Sequence, residues 1–400
     1  MNFEKLDVSN KRVLLRVDYN VAIKDGKVVE PKRIVASLPT IKNLLERDAK
    51  IVIMSHLGRP KGKRDKKYSM APVFEEFIRI AQKEELPIHL CEMWDGDLDG
   101  EGFRDYTSKL KPGDILFIEN LRFWPGEEAN DEAFARSLAS LGEVFVQEAF
   151  GALHRAHAST DKLARLLPSA FGLLVQKELA ELNKLLADPQ RPFVALLGGA
   201  KVKDKIGAIE NLIARGVDKI LIGGALAYTF LKAQGVQVGD SFVDEKWVDK
   251  LTELMKDPKK SSRIEVCVDH KIAKDVNSPN TAKTIEEKNI PDGCKGMDIG
   301  PKTLENFKSE LGKAKTIFWN GPVGMMEVPP FDTGSSEMAR VISGSTKNGA
   351  LSVLGGGDTI YAVSIAGLKE DDFSHVSTGG GATLEFLEGK TLPGVAAIQK

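Results

Sequence analysis

Short apolar runs that end in polar or glycine-rich clusters recur along this chain, and longer amphipathic stretches separate them. In the first part the strand candidates are VLLRVDYN (13–20), IVIMSHLG (51–58), PIHL (87–90), DILFIEN (114–120) and EVFVQEA (143–149). In the second they are FVALLGG (193–199), KILIGG (219–224), IEVCVD (264–269), TIFWNG (316–321), LSVLGGG (351–357) and HVSTGGG (375–381). Continuous apolar runs of this kind belong to strands buried on both faces. Between them lie helical patterns such as APVFEEFIRIAQKEE (71–85) and RIVASLPTIKNLLER (33–47). In the latter, Ile34, Val35, Leu38, Ile41, Leu44 and Leu45 follow the about 3.6-residue period of a helix. Strands alternating with helices predict an α/β fold of parallel sheets covered on both faces. At roughly 150 residues per domain, the length suits two or three domains. The stretch SAFGLLVQKELAELNKLLADP (169–189) reads as one long helix closed by Pro189. We therefore expect two Rossmann-like three-layer domains, 1–168 and 190–387, joined by an interdomain helix over 169–189.

Composition removes several classes of function. The chain has 56 basic and 57 acidic residues, a net charge of -1, which argues against a protein that coats nucleic acid. The basic run RPKGKRDKK (59–67) lacks interleaved aromatic residues and reads as an exposed loop. Cys91, Cys267 and Cys294 are far apart and form no C-x-x-C pair, so neither a disulfide framework nor a zinc site is expected. His154 and His157 flank an arginine and lack further ligands at metal spacing. The N-terminus MNFEKLDVSN has no apolar signal core, and no apolar run approaches the ~18 residues of a membrane span. A cytoplasmic protein with no membrane or nucleic-acid partner is expected.

In open parallel sheets, ligands bind beyond the carboxyl ends of the strands. The second half carries glycine clusters there: Gly198-Gly199-Ala200-Lys201, Gly223-Gly224, Gly355-Gly356-Gly357-Asp358 and Gly379-Gly380-Gly381. Glycine lets backbone approach a ligand closely, and a following helix N-terminus attracts phosphate. Each pair alone could equally serve strand-to-helix packing; four together predict a nucleotide phosphate site. Neither G-x-x-x-x-G-K-[ST] nor G-x-G-x-x-G is present, because Leu384 and Ile360 stand at required glycine positions. Asp358 could hold Mg²⁺ together with phosphate oxygens. If a helix begins at Lys201, Lys201 and Lys205 share a face, and Lys201 could reach a transferring phosphoryl group; Lys203 is expected in solvent.

The strand ends of the first half carry Asp18, Asn20, His56, Arg59, Arg122, His154, Arg155 and His157, and Arg33 opens a helix. In the expected topology Arg33, Arg59, Arg122 and Arg155 converge on one face. Arginine binds phosphate and carboxylate through a planar fork, which predicts a small anionic substrate. Asp18 and Asn20 could bond its hydroxyl groups.

The segments RVDYNV (16–21), SHLGRP (55–60), ENLRF (119–123), AFGALHRAHAS (149–159), GGAKVKDKI (198–206), WNGPVG (319–324), GGGDT (355–359) and STGGGATLEFLEGK (377–390) together resemble the phosphoglycerate kinase family over essentially the whole chain. The resemblance implies a monomeric, two-lobed, hinge-bending glycolytic enzyme. It would pass a phosphoryl group reversibly from 1,3-bisphosphoglycerate to ADP with Mg²⁺, giving 3-phosphoglycerate and ATP. It places the acid-substrate site on Asp18, Asn20, Arg33, His56, Arg59, Arg122 and Arg155, in an N-terminal domain to which the tail 388–400 returns. It places the nucleotide site on Lys201, Lys205, Gly223, Gly224, Asn320, Pro322, Val323, Gly324, Glu327, Gly356, Gly357, Asp358 and Thr359, with Asp358 on the metal and Glu327 on the ribose. Arg33, Lys201 and the helix start at Gly379 and Gly380 would stabilise the moving group. The chain departs from the family pattern at Ala22, Gln147-Glu148, Ala225, Cys267, His270 and Val323. These changes spare the named charged residues and bear on affinity and rate. A non-catalytic phosphate-binding protein could dispense with Lys201 or Asp358, and a dinucleotide oxidoreductase would carry the fingerprint missing here.

Overall fold

Residues 3–98 and 101–399 are described by a computed structural model. The chain divides into two units. Residues up to Leu179, with those from Thr391 onward, form the first, and Ala180–Lys390 form the second.

The first unit is built on β1 (Arg12–Arg16), β2 (Lys50–Met54), β3 (Leu90–Trp94), β4 (Asp114–Ile118), β5 (Val144–Gln147) and β6 (Ser169–Phe171). Their order is β3-β4-β2-β1-β5-β6, and every pairing is parallel. Val13 of β1 faces Ile51 on one side and Val144 on the other. β4 and β5 are buried at every residue, as expected of their apolar runs Ile115–Ile118 and Val144–Val146, and the burial extends to the polar end residues Asp114 and Gln147. Helix α1 (Lys32–Glu46) buries Ile34, Leu38, Ile41, Leu44 and Leu45, whereas Val35 of the expected stripe is exposed. Helix α2 (Ala71–Lys83) buries Val73, Phe77 and Ile80 in the same core.

Two sequence expectations need correction here. The third strand begins at Leu90 instead of spanning 87–90; Pro87 has no N–H to give a ladder, and pairing starts at Leu90–Asp114. The range 169–189 is not one helix. Ser169–Phe171 pair with Phe145–Gln147 as β6, and helix α3 covers Leu173–Ala187. The break is Gly172, where a Cβ would stand 2.1 Å from Glu148 Oε2.

The second unit repeats the plan with β7 (Phe193–Leu197), β8 (Lys219–Ile222), β9 (Ile264–Val266), β10 (Thr316–Asn320), β11 (Leu351–Gly355) and β12 (His375–Ser377). The order is β9-β8-β7-β10-β11-β12, again all parallel. Helices α4 (Lys203–Ala214), α5 (Gly224–Ala233), α6 (Thr333–Lys347), α7 (Gly357–Ile365) and α8 (Gly380–Leu387) complete the parts used below. A three-stranded antiparallel sheet of His270–Ala273, Lys283–Ile285 and Lys295–Ile299 is an addition that the sequence reading missed.

In each sheet the chain lays down one central strand, places the next strands on one side of it, then crosses to the other; in the first unit β3 takes the edge before β4 fills the place beside β2. The reversal lies between β1 and β5 in the first unit and between β7 and β10 in the second. Such a reversal leaves a crevice beyond the strand ends. At the C-terminus, Gly394 N donates to Leu153 O at 3.0 Å, and Leu392 and Val395 are buried. Residues 388–390 stay with the second unit, where Glu388 covers Gly207 and Asn211 Nδ2 donates to Leu387 O at 2.6 Å. Cys91, Cys267 and Cys294 are all free thiols.

Candidate functional sites at two strand-end crevices

Asp18, Asn20, Arg33, His56, Arg59, Arg122 and Arg155, chosen from the sequence, all line one cavity of about 170 Å³ in the first unit. Asp18 and Asn20 follow β1, His56 and Arg59 follow β2, Arg122 follows β4, and Arg155 follows β5. Gly58, Gly151, Ala152 and His154 complete the wall. The Arg33 guanidinium donates from Nη1 to Asp18 Oδ2 at 2.9 Å and to Asn20 O at 3.1 Å. Arg122 Nη1 donates to Gly58 O at 2.7 Å, and Gly58 N donates to Asn20 Oδ1 at 2.8 Å. Arg59 is exposed. Four guanidinium groups face one lining carboxylate, so the cavity favours an anion.

Beneath it lies a buried network that sequence reasoning missed. Arg16, fully buried at the end of β1, donates from Nε to Ser159 Oγ at 2.8 Å and from Nη2 to His56 Nδ1 at 3.2 Å. Ser159 Oγ donates onward to the buried Glu127 at 2.6 Å. Arginine can only donate, so His56 Nδ1 accepts and its proton is on Nε2. Burial first, then Arg16 and Arg122, holds the His56 pKa well below its ordinary value. Burial and the arginines likewise push His157 down to about 3 and lower His154. The histidines are therefore neutral donors and acceptors at neutral pH, and the positive charge is arginine's. The one signal available in sequence was Arg16 itself, a charge at the end of an apolar strand.

The departures at Gln147 and Glu148 leave Arg155 in the cavity wall. Both side chains are buried: Gln147 Oε1 accepts from Ala149 N at 3.1 Å, and Glu148 Oε1 accepts from Leu174 N at 3.1 Å and from Thr40 Oγ1. Thr40 Oγ1 accepts from Leu173 N at 2.9 Å. Glu148 thus ties α1, which carries Arg33, to the first turn of α3.

In the second unit the glycine clusters separate into two kinds. Gly198, Gly223, Gly224 and Gly321 hold the ends of β7, β8 and β10 against one another. A Cβ on Gly198 or Gly224 would meet Pro322 O at 2.0 or 2.5 Å, and one on Gly223 would meet Val323 Cγ1 at 2.6 Å. Their N–H groups are already used: Gly198 donates to Asn320 O, Gly199 to Pro322 O, Gly223 to Leu197 O and Gly224 to Val323 O, at 2.7–2.9 Å. These glycines shape the crevice without offering those donors to a phosphate, the packing role that each pair alone left open in the sequence. Gly356 and Gly357 are of the second kind. Gly356 has φ +98°, and a Cβ on Gly357 would meet nothing within 4 Å. Gly380 lies beside them, with its Cβ position 2.9 Å from Gly356 Cα. Helices α7 and α8 start here, so their first-turn N–H groups lack intrahelical acceptors.

Asp358 is exposed in the first turn of α7. Thr359 is buried; its Oγ1 accepts from Gly321 N and donates to Gly355 O, both at 2.8 Å. Asn320 Nδ2 donates to Gly355 O at 2.6 Å. Thr359 and Asn320 therefore brace the loops from within. Pro322, Val323 and Gly324 form the turn after β10, and Glu327 is exposed just beyond it. Helix α4 begins at Lys203, so Lys201 and Lys205 do not share a helical face as the sequence suggested. Lys201 is exposed in the turn before the helix, and Lys203 is also exposed. Lys205 is buried, with Nζ 3.6 Å from the Cβ position of Gly199. Burial lowers the Lys205 pKa, Asp204 and Asp358 oppose that shift, and Lys201 adds to it. Among the described residues no three His, Cys, Asp or Glu side chains form a metal cluster.

The family model described as phosphoglycerate kinase matches residues 3–390. A phosphoglycerate kinase of Elusimicrobium minutum is 48% identical over 398 residues, covering 99% of this chain and 98% of its own. Among solved structures, a phosphoglycerate kinase from Coxiella burnetii superposes with TM-score 0.86 at 36% identity, covering 100% of this chain and 98% of that one. One from Pyrococcus horikoshii OT3 gives 0.84 at 32% identity, with the same coverage.

Proposed function

The chain belongs to the phosphoglycerate kinase family, and on that premise we propose that its two crevices divide the two substrates between them. It is a glycolytic phosphotransferase that moves a phosphoryl group between ATP and the carboxylate of 3-phosphoglycerate. In the proposal, 3-phosphoglycerate occupies the first unit's cavity on Asp18, Asn20, Arg33, His56, Arg59, Arg122 and Arg155. The nucleotide occupies the second unit's crevice: phosphates at Gly356, Gly357 and the starts of α7 and α8, with Lys201 and Lys205 beside them. Gly223, Gly224, Asn320, Pro322, Val323, Gly324 and Thr359 shape its walls, and Glu327 takes the ribose hydroxyls. The observation that supports this best is the convergence of four arginines on one anion-sized cavity while open glycines and two helix starts meet in the other unit.

In the direction that makes the acyl phosphate, a carboxylate oxygen of 3-phosphoglycerate attacks the γ-phosphorus. The P–O bond to ADP breaks as the new P–O bond forms, and ADP leaves. No proton need move, so no general base is required. The group in flight carries its charge on equatorial oxygens, and catalysis rests on positioning and neutralisation. Lys201, Arg33 and the first-turn N–H groups from Gly380 onward supply that charge in the proposal, the Gly379 N–H being already donated to Ser377 Oγ at 3.2 Å. The open carboxylate of Asp358 next to unobstructed Gly357 suits a cation shared with phosphate oxygens, and Mg²⁺ would neutralise charge on the nucleotide. Water would destroy the acyl phosphate, so closure of the two units on bound substrates belongs to the proposal. The enzyme acts as a cytoplasmic monomer in this reading; no described helix is long and apolar enough to cross a membrane.

A coupled assay of ATP-dependent 3-phosphoglycerate consumption tests the reading directly. Turnover that requires both substrates and stops when Mg²⁺ is chelated is expected. ATP hydrolysis without dependence on 3-phosphoglycerate contradicts it.

A further inference from the structure

A second cavity, of about 390 Å³, opens in the first unit and shares Asn20 and Gly58 with the anion pocket. It lies beside a hairpin in which Ile23–Lys24 pair with Lys27–Val28 around a tight turn. That turn holds Asp25 and Gly26 at φ 50° and 73°. Val21, Ile23, Leu57, Tyr68 and Pro72 give it an apolar lining, of which Leu57 is fully buried and the others partly so. The polar lining is Asn20, Asp25, Lys66 and Lys67. Asp65 caps the short turn that carries both lysines, accepting from Lys67 N at 2.9 Å, and the Lys67 ammonium stands 5.6 Å from the Tyr68 ring centre. Neither lysine joins an ion pair among the described residues, so the lining carries two ammonium groups and the single carboxylate of Asp25. An apolar bed of this volume with a few convergent polar groups is the ordinary make-up of a small-molecule site.

The wall is shared and stiffly connected. Asn20 and Gly58 line both cavities. Gly58 donates to Asn20 Oδ1 and accepts from Arg122, and its Cβ position, at φ +60°, is 2.4 Å from the Tyr68 ring. A body stacked on Tyr68 therefore presses on the peptide that positions Arg122 and Asn20. We propose that this cavity is a second ligand site, for a small molecule with a flat or aliphatic body and one anionic group, and that its occupancy alters binding in the anion pocket through Gly58 and Asn20. The second half of the proposal rests on the anion pocket being the 3-phosphoglycerate site; the first half does not.

The test uses the full chain and 8-anilinonaphthalene-1-sulfonate, an aromatic monoanion whose fluorescence reports apolar binding. The expected result is one saturable site, weakened at least about tenfold in the Lys66→Glu/Lys67→Glu double variant, the scale of lost charge-assisted contacts. That variant changes exposed residues outside the anion pocket, so its KM for 3-phosphoglycerate without dye should match the parent chain. Saturating 3-phosphoglycerate should shift the dye's Kd, and dye should shift 3-phosphoglycerate binding by the same factor. Equal dye binding by parent and variant, or displacement of the dye by ADP, overturns the site. Dye binding lost in the variant but indifferent to 3-phosphoglycerate overturns the coupling, and it does so without reference to turnover.

Discussion

Arg59 is exposed on the wall of the anion cavity, while Arg33 and Arg122 are braced by Asp18, Asn20 and Gly58. Its removal should therefore subtract one donor fork and disturb little else. Arg59→Ala is expected to raise KM for 3-phosphoglycerate by roughly tenfold or more, the worth of a charged hydrogen bond, with KM for ATP unchanged. Steady-state kinetics with each substrate varied would check this, and a change confined to ATP would contradict it. Lys201 is the opposite case, an exposed cation in the turn after β7. Lys201→Ala should lower kcat by about 10²-fold with a smaller change in either KM, as expected for a group used mainly in the transition state. Near-normal kcat would remove Lys201 from the proposed chemistry. Both residues were candidates from the sequence because each follows a strand end, where the fold class alone puts ligands; the structure places Arg59 in the cavity wall and Lys201 in an exposed loop. Arg16, Ser159 and Glu127 were not, since their bonds join parts of the chain up to 143 positions apart.

Glycines in the second unit act as parts of elements, and the structure separates those that pack from those that stand open. Gly224→Ala meets both a positive φ of +61° and the Pro322 carbonyl, so it should lower Tm, by a loss on the order of 1–3 kcal/mol. Gly357→Ala adds its methyl group to open space and should leave Tm nearly unchanged while raising KM for the nucleotide. Thermal melts paired with kinetics distinguish the two; equal Tm loss in both would show that all the clusters serve packing. Sequence reading could not make this division, because a glycine pair looks the same whether a ligand or a neighbouring carbonyl fills the space before it. The same limit hid β6. Ser169–Phe171 sits within a helical-looking stretch, and only pairing with β5 and the Glu148 carboxylate against Gly172 make it a strand. Glu148 has its own consequence. Burial raises its pKa to about 7, and hydrogen bonds from Thr40 and the start of α3 only partly offset that. The folded chain holds this proton more tightly than the unfolded one, so Glu148 stabilises the fold most below its unfolded pKa near 4.5. That contribution fades as pH rises through about 7. Glu148→Gln, which mimics the protonated form, should gain in Tm relative to the parent between pH 5 and about 8. A Tm difference independent of pH would mean that Glu148 does not titrate in that window.

At the scale of the whole molecule, the proposed division gives the acid to one unit and the nucleotide to the other. Both sheets reverse direction beside their first strand, and both candidate sites lie beyond that reversal, so a shared architecture gives each unit a crevice. What differs is the chemistry at the strand ends: arginines in the first, open glycines and helix starts in the second. Closure on both substrates predicts a smaller radius of gyration in small-angle scattering than either substrate alone produces. An unchanged radius would contradict closure while leaving the division of substrates intact. That division is tested most directly by calorimetric titration of 3-phosphoglycerate and of MgADP, separately, into the parent chain and into Arg59→Ala and Gly357→Ala. Arg59→Ala should weaken 3-phosphoglycerate binding and spare MgADP, and Gly357→Ala should do the reverse. Loss of MgADP binding in Arg59→Ala, or of 3-phosphoglycerate binding in Gly357→Ala, would contradict it.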